Sequence, residues 1–147
     1  MSNNLTINKK IKNFNKKIEV DGDKSLSIRW ILFSSLSSAK STAQNLLLSE
    51  DVMAAISTIR KLGIKVTVKN KTCTVHGKGV EGYKYKKNIT LNAQNSGTLG
   101  RLILGLLINT PYPIKLIGDK SLSKRDFKRI TDPLTRFGAV FKLTNNK

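Results

Sequence analysis

The sequence predicts a mixed α/β fold made of a repeated βαβαββ unit, one copy complete and a second truncated at a hairpin turn. Three observations predict it. Residues 64–68 and 72–76 alternate apolar with polar at period two on either side of Asn70-Lys71, a β-hairpin signature. Val52, Ala55, Ile59 and Leu62 recur at helical spacing ahead of Gly63, which marks an amphipathic helix with a glycine stop. Both helical patterns then return. Ser27–Leu32 is echoed 72 residues later by Leu99–Leu104, with matches at Arg29/Arg101, Ile31/Ile103 and Leu32/Leu104. A shift of 75 carries the stripe and its stop onto Phe127, Ile130, Leu134, Phe137 and Gly138, so a buried face is expected to recur position by position.

In chain order, residues 1–21 read as a tail and a strand leading into the fold, with Lys9, Lys10, Lys12, Lys16 and Lys17 loosely alternating with Ile11, Phe14 and Ile18. The first unit takes residues 22–95 and the second 96–147. Ser25 and Ser27 precede an apolar, helix-length run to Ala39, and Ala43–Leu48 reads as a short strand. Ser49-Glu50-Asp51 then opens the helix that closes at Gly63. Cys73 and His76 fall on opposite faces of the second hairpin strand, which argues against a Cys–His pair, and residues 77–87 form a Gly- and Lys-rich loop. In the second unit Pro133 should kink or restart its helix, while Ala139–Leu143 is the counterpart strand and Asn145 aligns with turn residue Asn70. The strand that would complete that hairpin has no counterpart, which predicts an open sheet edge and a piece of a longer repeat protein.

Composition narrows the function. The 147 residues carry 27 Lys+Arg against 9 Asp+Glu, a formal charge of +18 that suits a nucleic acid, another polyanion or a small anionic substrate. Lys outnumbers Arg 21 to 6 and aromatics are only 6%, which favours solvated lysine-rich faces or a small anion over a nucleic-acid partner. No stretch is long and apolar enough to span a membrane, the start lacks a secretory apolar core, and a single Cys and a single His exclude a disulfide framework and a histidine-based metal site. A reducing compartment and metal-free chemistry are expected, and the resemblance given below adds a cytoplasmic location and no cofactor.

The chemistry gathers where each unit's first helix begins. Asp21–Arg29 places Lys24 and two hydroxyls at a helix N-terminus with Arg29 one turn on, where free N–H groups, the helix dipole and two cations suit an anion. Taken alone, it reads equally as a serine N-cap among solvated charges. Gln94-Asn95-Ser96-Gly97-Thr98 offers the second helix a small-residue turn and a cap, again open to either reading. Gly118–Arg125 nearly rewrites the first cluster, and three such sites in one short chain weigh toward anion binding.

These residues, Lys24-Ser25-x-Ser27-x-Arg29, Ser49–Val52, Asn95-Ser96-Gly97-Thr98-x-x-Arg101 and Gly118–Arg125, resemble in order and spacing the N-terminal third of the 5-enolpyruvylshikimate-3-phosphate synthase family, over nearly all of residues 16–143. The resemblance implies the enolpyruvate transferase fold, two domains of three βαβαββ units, in chains about three times this length. It implies transfer of the enolpyruvyl group of phosphoenolpyruvate to the 5-hydroxyl of shikimate 3-phosphate, releasing phosphate, in aromatic amino-acid biosynthesis. Lys24 would be catalytic and contact both substrates, and Ser25 and Arg29 would hold shikimate 3-phosphate. Asn95, Gly97, Thr98 and Arg125 would hold phosphoenolpyruvate. Arg101 and the pair Glu50/Asp51 match too and are read as structural, the arginine bracing the turn and the acids favouring their helix N-terminus.

The sequence departs from the family pattern at Gln94 (usually Gly), Ser96 and Leu99 (usually Ala), Leu102 and Asp126 (usually Pro), which bears on the fit of phosphoenolpyruvate and on the response to glyphosate. None of the nine acids matches the family's proton-transferring carboxylates, so the 147 residues alone are expected to be inactive, the missing C-terminal portion completing the site. Two alternatives stand beside this reading. The sister transferase acting on UDP-N-acetylglucosamine typically has lysine-asparagine where Lys24-Ser25 stands and a cysteine in a loop of its second unit, whereas Cys73 is on a first-unit strand. The other is a small basic nucleic-acid-binding module, whose affinity would collapse steeply with salt.

Overall fold

The computed structural model describes residues 6, 8, 13 and 15–144. Lys9, Lys10, Ile11, Lys12, Phe14 and the turn residue Asn145 lie outside the described residues. The elements run α1 (Lys24–Leu36), β1 (Lys40–Ala43), α2 (Glu50–Lys61), β2 (Lys65–Lys69), β3 (Thr72–His76), β4 (Thr90–Asn92), α3 (Gly97–Leu106), β5 (Lys115–Ile117), a 3-10 turn (Leu122–Lys124) and α4 (Lys128–Arg136). A three-stranded antiparallel sheet has the order β1-β3-β2, and β4 pairs with β5 in parallel.

The β2–β3 hairpin forms where the alternation places it. Lys69 pairs with Thr72 across two residues at positive φ, Asn70 (47°) and Lys71 (59°), the twist a two-residue hairpin needs. Cys73 and Val75 are buried and His76 is on the other face. α2 turns Val52, Ala55, Ile56 and Ile59 onto that sheet and α1, and closes in a Schellman motif: Gly63 N–H donates to Arg60 O (3.0 Å) and Ile64 N–H to Ile59 O (3.2 Å) with Gly63 at φ 87°. α4 ends identically, Gly138 donating to Thr135 O (2.9 Å) and Ala139 to Leu134 O (3.2 Å) at φ 93°. α3 packs on α1, α2 and α4, and Ile28, Ile31, Leu32, Leu91, Leu99 and Ile103 join the α2 stripe in one core.

Several expectations are corrected. The cap of α1 is Asp23, whose carboxylate accepts from Leu26 N–H at 2.6 Å, and not a serine; Ser25 lies in the first turn, and Ser27 is buried and accepts from Leu47 N–H at 3.3 Å. α1 stops at Leu36 rather than Ala39. The strand expected over Ala43–Leu48 sits earlier, at Lys40–Ala43, because pairing with β3 stabilises a polar edge segment while Asn45 at φ 56° breaks any extended run through Leu46–Leu48. Residues 15–21 are exposed and hold no strand; Val20 O instead accepts from Asn45 Nδ2 at 2.9 Å. α4 runs through Pro133 without restarting, since the carbonyl of Arg129 that loses its donor belongs to an exposed turn open to water. Its stripe is not buried position by position: Ile130 and Leu134 are half-buried and Phe137 is 84% exposed, where Ile59 and Leu62 are sealed. Residues 139–143 form no strand, for no described strand lies beside them as β3 lies beside β2.

Candidate functional site

The two helix starts that suit an anion are built differently. At α1, Gly22 is pressed against the chain at Asn45–Leu47, where a β-carbon would meet the backbone, and this seats the N-terminus of α1 beside the segment that leads into α2. α2 then presents Asp51 to Lys24, with Nζ to Oδ2 at 3.0 Å. The acid read as serving only its own helix thus also aims Lys24. Ser25 is half-buried and Arg29 exposed, and among the described residues neither carries a side-chain hydrogen bond. The hydroxyl of the α2 cap residue Ser49 is buried without a hydrogen-bond partner.

At α3 the chain assembles a tighter cluster. The backbone turns at Gln94, φ 51°, held by Asn92 Oδ1 accepting from Gln94 N–H (2.8 Å). Ser96 is fully buried and caps α3 by accepting from Leu99 N–H (3.3 Å). Gly97 then opens the helix, and a β-carbon there would lie 2.6 Å from Arg125 Nη1 and 3.2 Å from Arg101 Nη1. Two guanidinium groups therefore converge on Gly97, adding full charge near the positive end of the α3 dipole.

Arg125 is held by a relay. Its Nη2 donates to Asn95 Oδ1 (3.3 Å), Asn95 Nδ2 donates to Asp119 Oδ2 (2.6 Å), and Asp119 Oδ1 accepts from Leu122 N–H (2.7 Å). The hydrogen bonds from Asn95 and Leu122, with the nearby Arg125 charge, hold the Asp119 carboxyl below its ordinary value. A depressed folded-state value means that the carboxylate's contribution is present above the ordinary carboxylate range and fades as pH falls through the depressed one. Arg101 donates to Asp126 O (3.4 Å) and lies over the Phe127 ring (5.6 Å), which ties α3 to the start of α4.

Of the predicted site residues, the structure brings Asn95, Gly97 and Arg125 together. Lys24 is joined to Asp51, while Ser25, Arg29 and Thr98 make no side-chain hydrogen bond among the described residues. Asp119 was not singled out by sequence reasoning, although a signal existed: Gly118–Ser123 repeats Gly22–Ser27 letter for letter, and Asp23 is a capping residue. Cys73 is fully buried, and burial pushes its thiol up, so it is a core side chain. Among the described residues no helix is long and apolar enough to cross a membrane, and no three His, Cys, Asp or Glu side chains gather to hold a metal.

The Gln94 turn explains how a departure from the family pattern is tolerated and what it costs. A left-handed backbone costs a side-chain-bearing residue about 1–2 kcal/mol, partly offset because glycine loosens the unfolded chain. Q94G should therefore raise stability by about 0.5–1 kcal/mol in chemical denaturation, and a loss would show that the Gln94 side chain contributes contacts of its own.

The family described as EPSP synthase (3-phosphoshikimate 1-carboxyvinyltransferase) matches residues 8–147. The 3-phosphoshikimate 1-carboxyvinyltransferase of Bacillus cytotoxicus is 41% identical over 128 residues, covering 87% of this chain and 30% of the relative. That of Leuconostoc mesenteroides is 39% identical over 131 residues, covering 89% and 30%. The solved EPSP synthase from Acinetobacter baumannii superposes with a TM-score of 0.82 at 36% identity, over 90% of this chain and 30% of that one. The chain thus spans about 30% of the length of the relatives it matches. With the helix-start motifs, the mixed α/β architecture and the match across residues 8–147 in agreement, the chain belongs to the EPSP synthase (3-phosphoshikimate 1-carboxyvinyltransferase) family.

Proposed function

We propose that this chain supplies part of the site of an enolpyruvyl transferase that moves the carboxyvinyl group of phosphoenolpyruvate to the 5-hydroxyl of shikimate 3-phosphate and releases phosphate, in a cytoplasmic route to aromatic amino acids. The observation that carries this reading is the pair of guanidinium groups converging on Gly97 at the start of α3. Phosphoenolpyruvate has a phosphate and a carboxylate on adjacent carbons, and Arg125, Arg101 and the N–H groups of Gly97 and Thr98 form a compact donor array of matching size and sign. Asn95 is the positioning group for Arg125. Lys24, steadied by Asp51, contacts both substrates and supplies positive charge where the transferred group gains negative charge, and Ser25 and Arg29 take shikimate 3-phosphate.

The repeat supports a division into units 22–95 and 96–147, the first complete, within a longer βαβαββ array. Addition to and elimination from an enol ether need a general acid and base. In this reading they come from the portion of the relatives that the chain does not span. The 147-residue chain therefore binds anions without turning over. Calorimetric titration should detect phosphoenolpyruvate binding, and R125A should weaken it by about tenfold or more, the worth of a charge-assisted pair. Family-typical phosphate release by the 147 residues, or binding indifferent to Arg125, would overturn the proposal. Binding that instead collapses with salt and ignores R125A would favour the nucleic-acid reading.

A further inference from the structure

Asp119 does more in its turn than bond the backbone. Its Oδ1 accepts from Leu122 N–H at 2.7 Å and its carbonyl accepts from Ser123 N–H at 2.9 Å, the same pair of bonds that Asp23 makes at the start of α1. Asp23 uses one carboxylate oxygen for this, and among the described residues its carboxylate takes no second hydrogen bond. Asp119 turns its other oxygen, Oδ2, to Asn95 Nδ2 at 2.6 Å. The backbone sets this distance: Asp119 N–H bonds Gln94 O at 2.8 Å, and Leu122, only 2% exposed, anchors the turn against Gly118.

The chemistry of the three side chains leaves one arrangement. An ionised carboxylate only accepts, a guanidinium only donates, and a primary amide does one at each end. The Asn95 hydrogen bond is the first of the causes that hold the Asp119 carboxyl below its ordinary value, so the group is ionised at neutral pH. With Asp119 taking the Asn95 N–H, the amide oxygen is left facing Arg125 Nη2 (3.3 Å), and Arg125 Nη1 comes to lie over Gly97. Turned end for end, the amide would set oxygen against carboxylate and N–H against guanidinium, two mismatched contacts at once.

We propose that Asp119 is a positioning residue for phosphoenolpyruvate: it fixes which end of the Asn95 amide meets Arg125 and so keeps the guanidinium over Gly97. The inference rests on the binding reading given under the proposed function and adds to it a residue that touches no ligand. The expected sign is opposite to that of charge alone. Removing a carboxylate from beside an anion's site strengthens binding by simple attraction. Removing this one weakens binding, because Arg125 is released. D119N isolates the effect. Asparagine accepts at a helix or turn start as well as aspartate does, so the bond to Leu122 N–H is kept, but the group facing Asn95 changes from acceptor to donor. The Asn95 amide then turns over to accept from it and presents its own N–H to Arg125.

The test compares the 147-residue parent with D119N, D119S and R125A. In the calorimeter, phosphoenolpyruvate affinity should fall by about tenfold in D119N, the worth of an oriented hydrogen bond to a charged group, while the melting temperature stays within a few degrees of the parent. D119S keeps an oxygen for Leu122 N–H but cannot reach Asn95; its affinity should fall by about threefold, a second reading should D119N not fold. In side-chain amide spectra, the Asn95 Nδ2 signal, assigned by its loss in N95S, should exchange about fivefold faster in D119N than in the parent, a change that the bond to Leu122 does not produce. Unchanged or tighter binding in both Asp119 variants, or Asn95 exchange equal to the parent's, would overturn the inference. Binding indifferent to R125A overturns the binding reading instead, and the Asn95 exchange separates that failure from a failure of Asp119 to orient the amide.

Discussion

G63A should cost about 3 kcal/mol or more, whereas G138A, at the equivalent place one unit on, should cost about 1 kcal/mol. The two glycines close α2 and α4 with the same pair of Schellman hydrogen bonds and nearly the same φ, 87° and 93°. Any side chain at either position carries the left-handed penalty. They differ in their neighbours. Gly63 is covered by the backbone of Lys84, whose N–H bonds Leu62 O at 2.9 Å, and Lys78 Nζ reaches Gly63 O at 2.8 Å, so an added methyl must push the 77–87 loop off the core. Gly138 has nothing within 4 Å of where that methyl would stand. For a chain of this size the difference separates the two melting temperatures by several degrees, G63A falling by about 10 °C. Equal losses would mean that the loop yields freely and that backbone conformation alone is being measured.

The second large effect is expected at Gly97, and it falls on binding rather than folding. Alanine is the better helix former and Gly97 begins α3, so G97A should leave the melting temperature within a few degrees of the parent. Its methyl, however, would stand 2.6 Å from Arg125 Nη1, and the guanidinium is the mobile end of a long side chain that can swing away. If the proposed function holds, the start of α3 then loses a charge and gains a methyl where ligand oxygens would approach the backbone. Affinity for phosphoenolpyruvate should fall by about 10- to 100-fold in the calorimeter. Unchanged affinity would show that Arg125 and the backbone of Gly97 do not share a ligand. A large drop in stability would show that Arg125 is fixed by packing rather than by Asn95.

What could be read from the letters and what could not follows from where the information resides. The hairpin needs only alternation and two residues that accept positive φ, and Val66, Val68, Cys73 and Val75 with Asn70-Lys71 supply both locally. α2 and its glycine stop are equally local. β1 is different. Lys40-Ser41-Thr42-Ala43 has no strand pattern of its own and is extended because β3, thirty residues on, pairs with it. Leu46–Leu48 resembles a strand in composition, yet Asn45 turns the chain and Leu46 N–H is taken by Lys71 O at 2.9 Å. Residues 139–143 fail in the opposite sense, having the pattern without the partner. The cluster at the start of α3 was legible as motifs because Asn95, Gly97 and Arg125, which the fold brings together, occur in recognisable strings. The relay through Asp119 was not, because it joins residues 24 apart that only the β4–β5 pairing brings together.

The stretch Gly22–Arg29 recurs at Gly118–Arg125 with a single change, Ile28 to Lys124. Both copies begin alike: the aspartate carboxylate takes the leucine N–H three residues on, at 2.6 and 2.7 Å, and its carbonyl takes the second serine's N–H, at 2.9 Å in each. They then part. The first runs on as α1 to Leu36, and the second stops as a 3-10 turn at Lys124, leaving Arg125 on extended backbone. The eight letters thus behave as an ignition with no say over the length of the journey, which is decided by whether Trp30-Ile31-Leu32 or Asp126-Phe127-Lys128 comes next. Two arginines at the same place in the same phrase consequently work at different addresses, Arg29 along a helix flank and Arg125 across a turn from Gly97. Exchanging the tripeptides that follow would be expected to exchange the addresses, while leaving both ignitions intact.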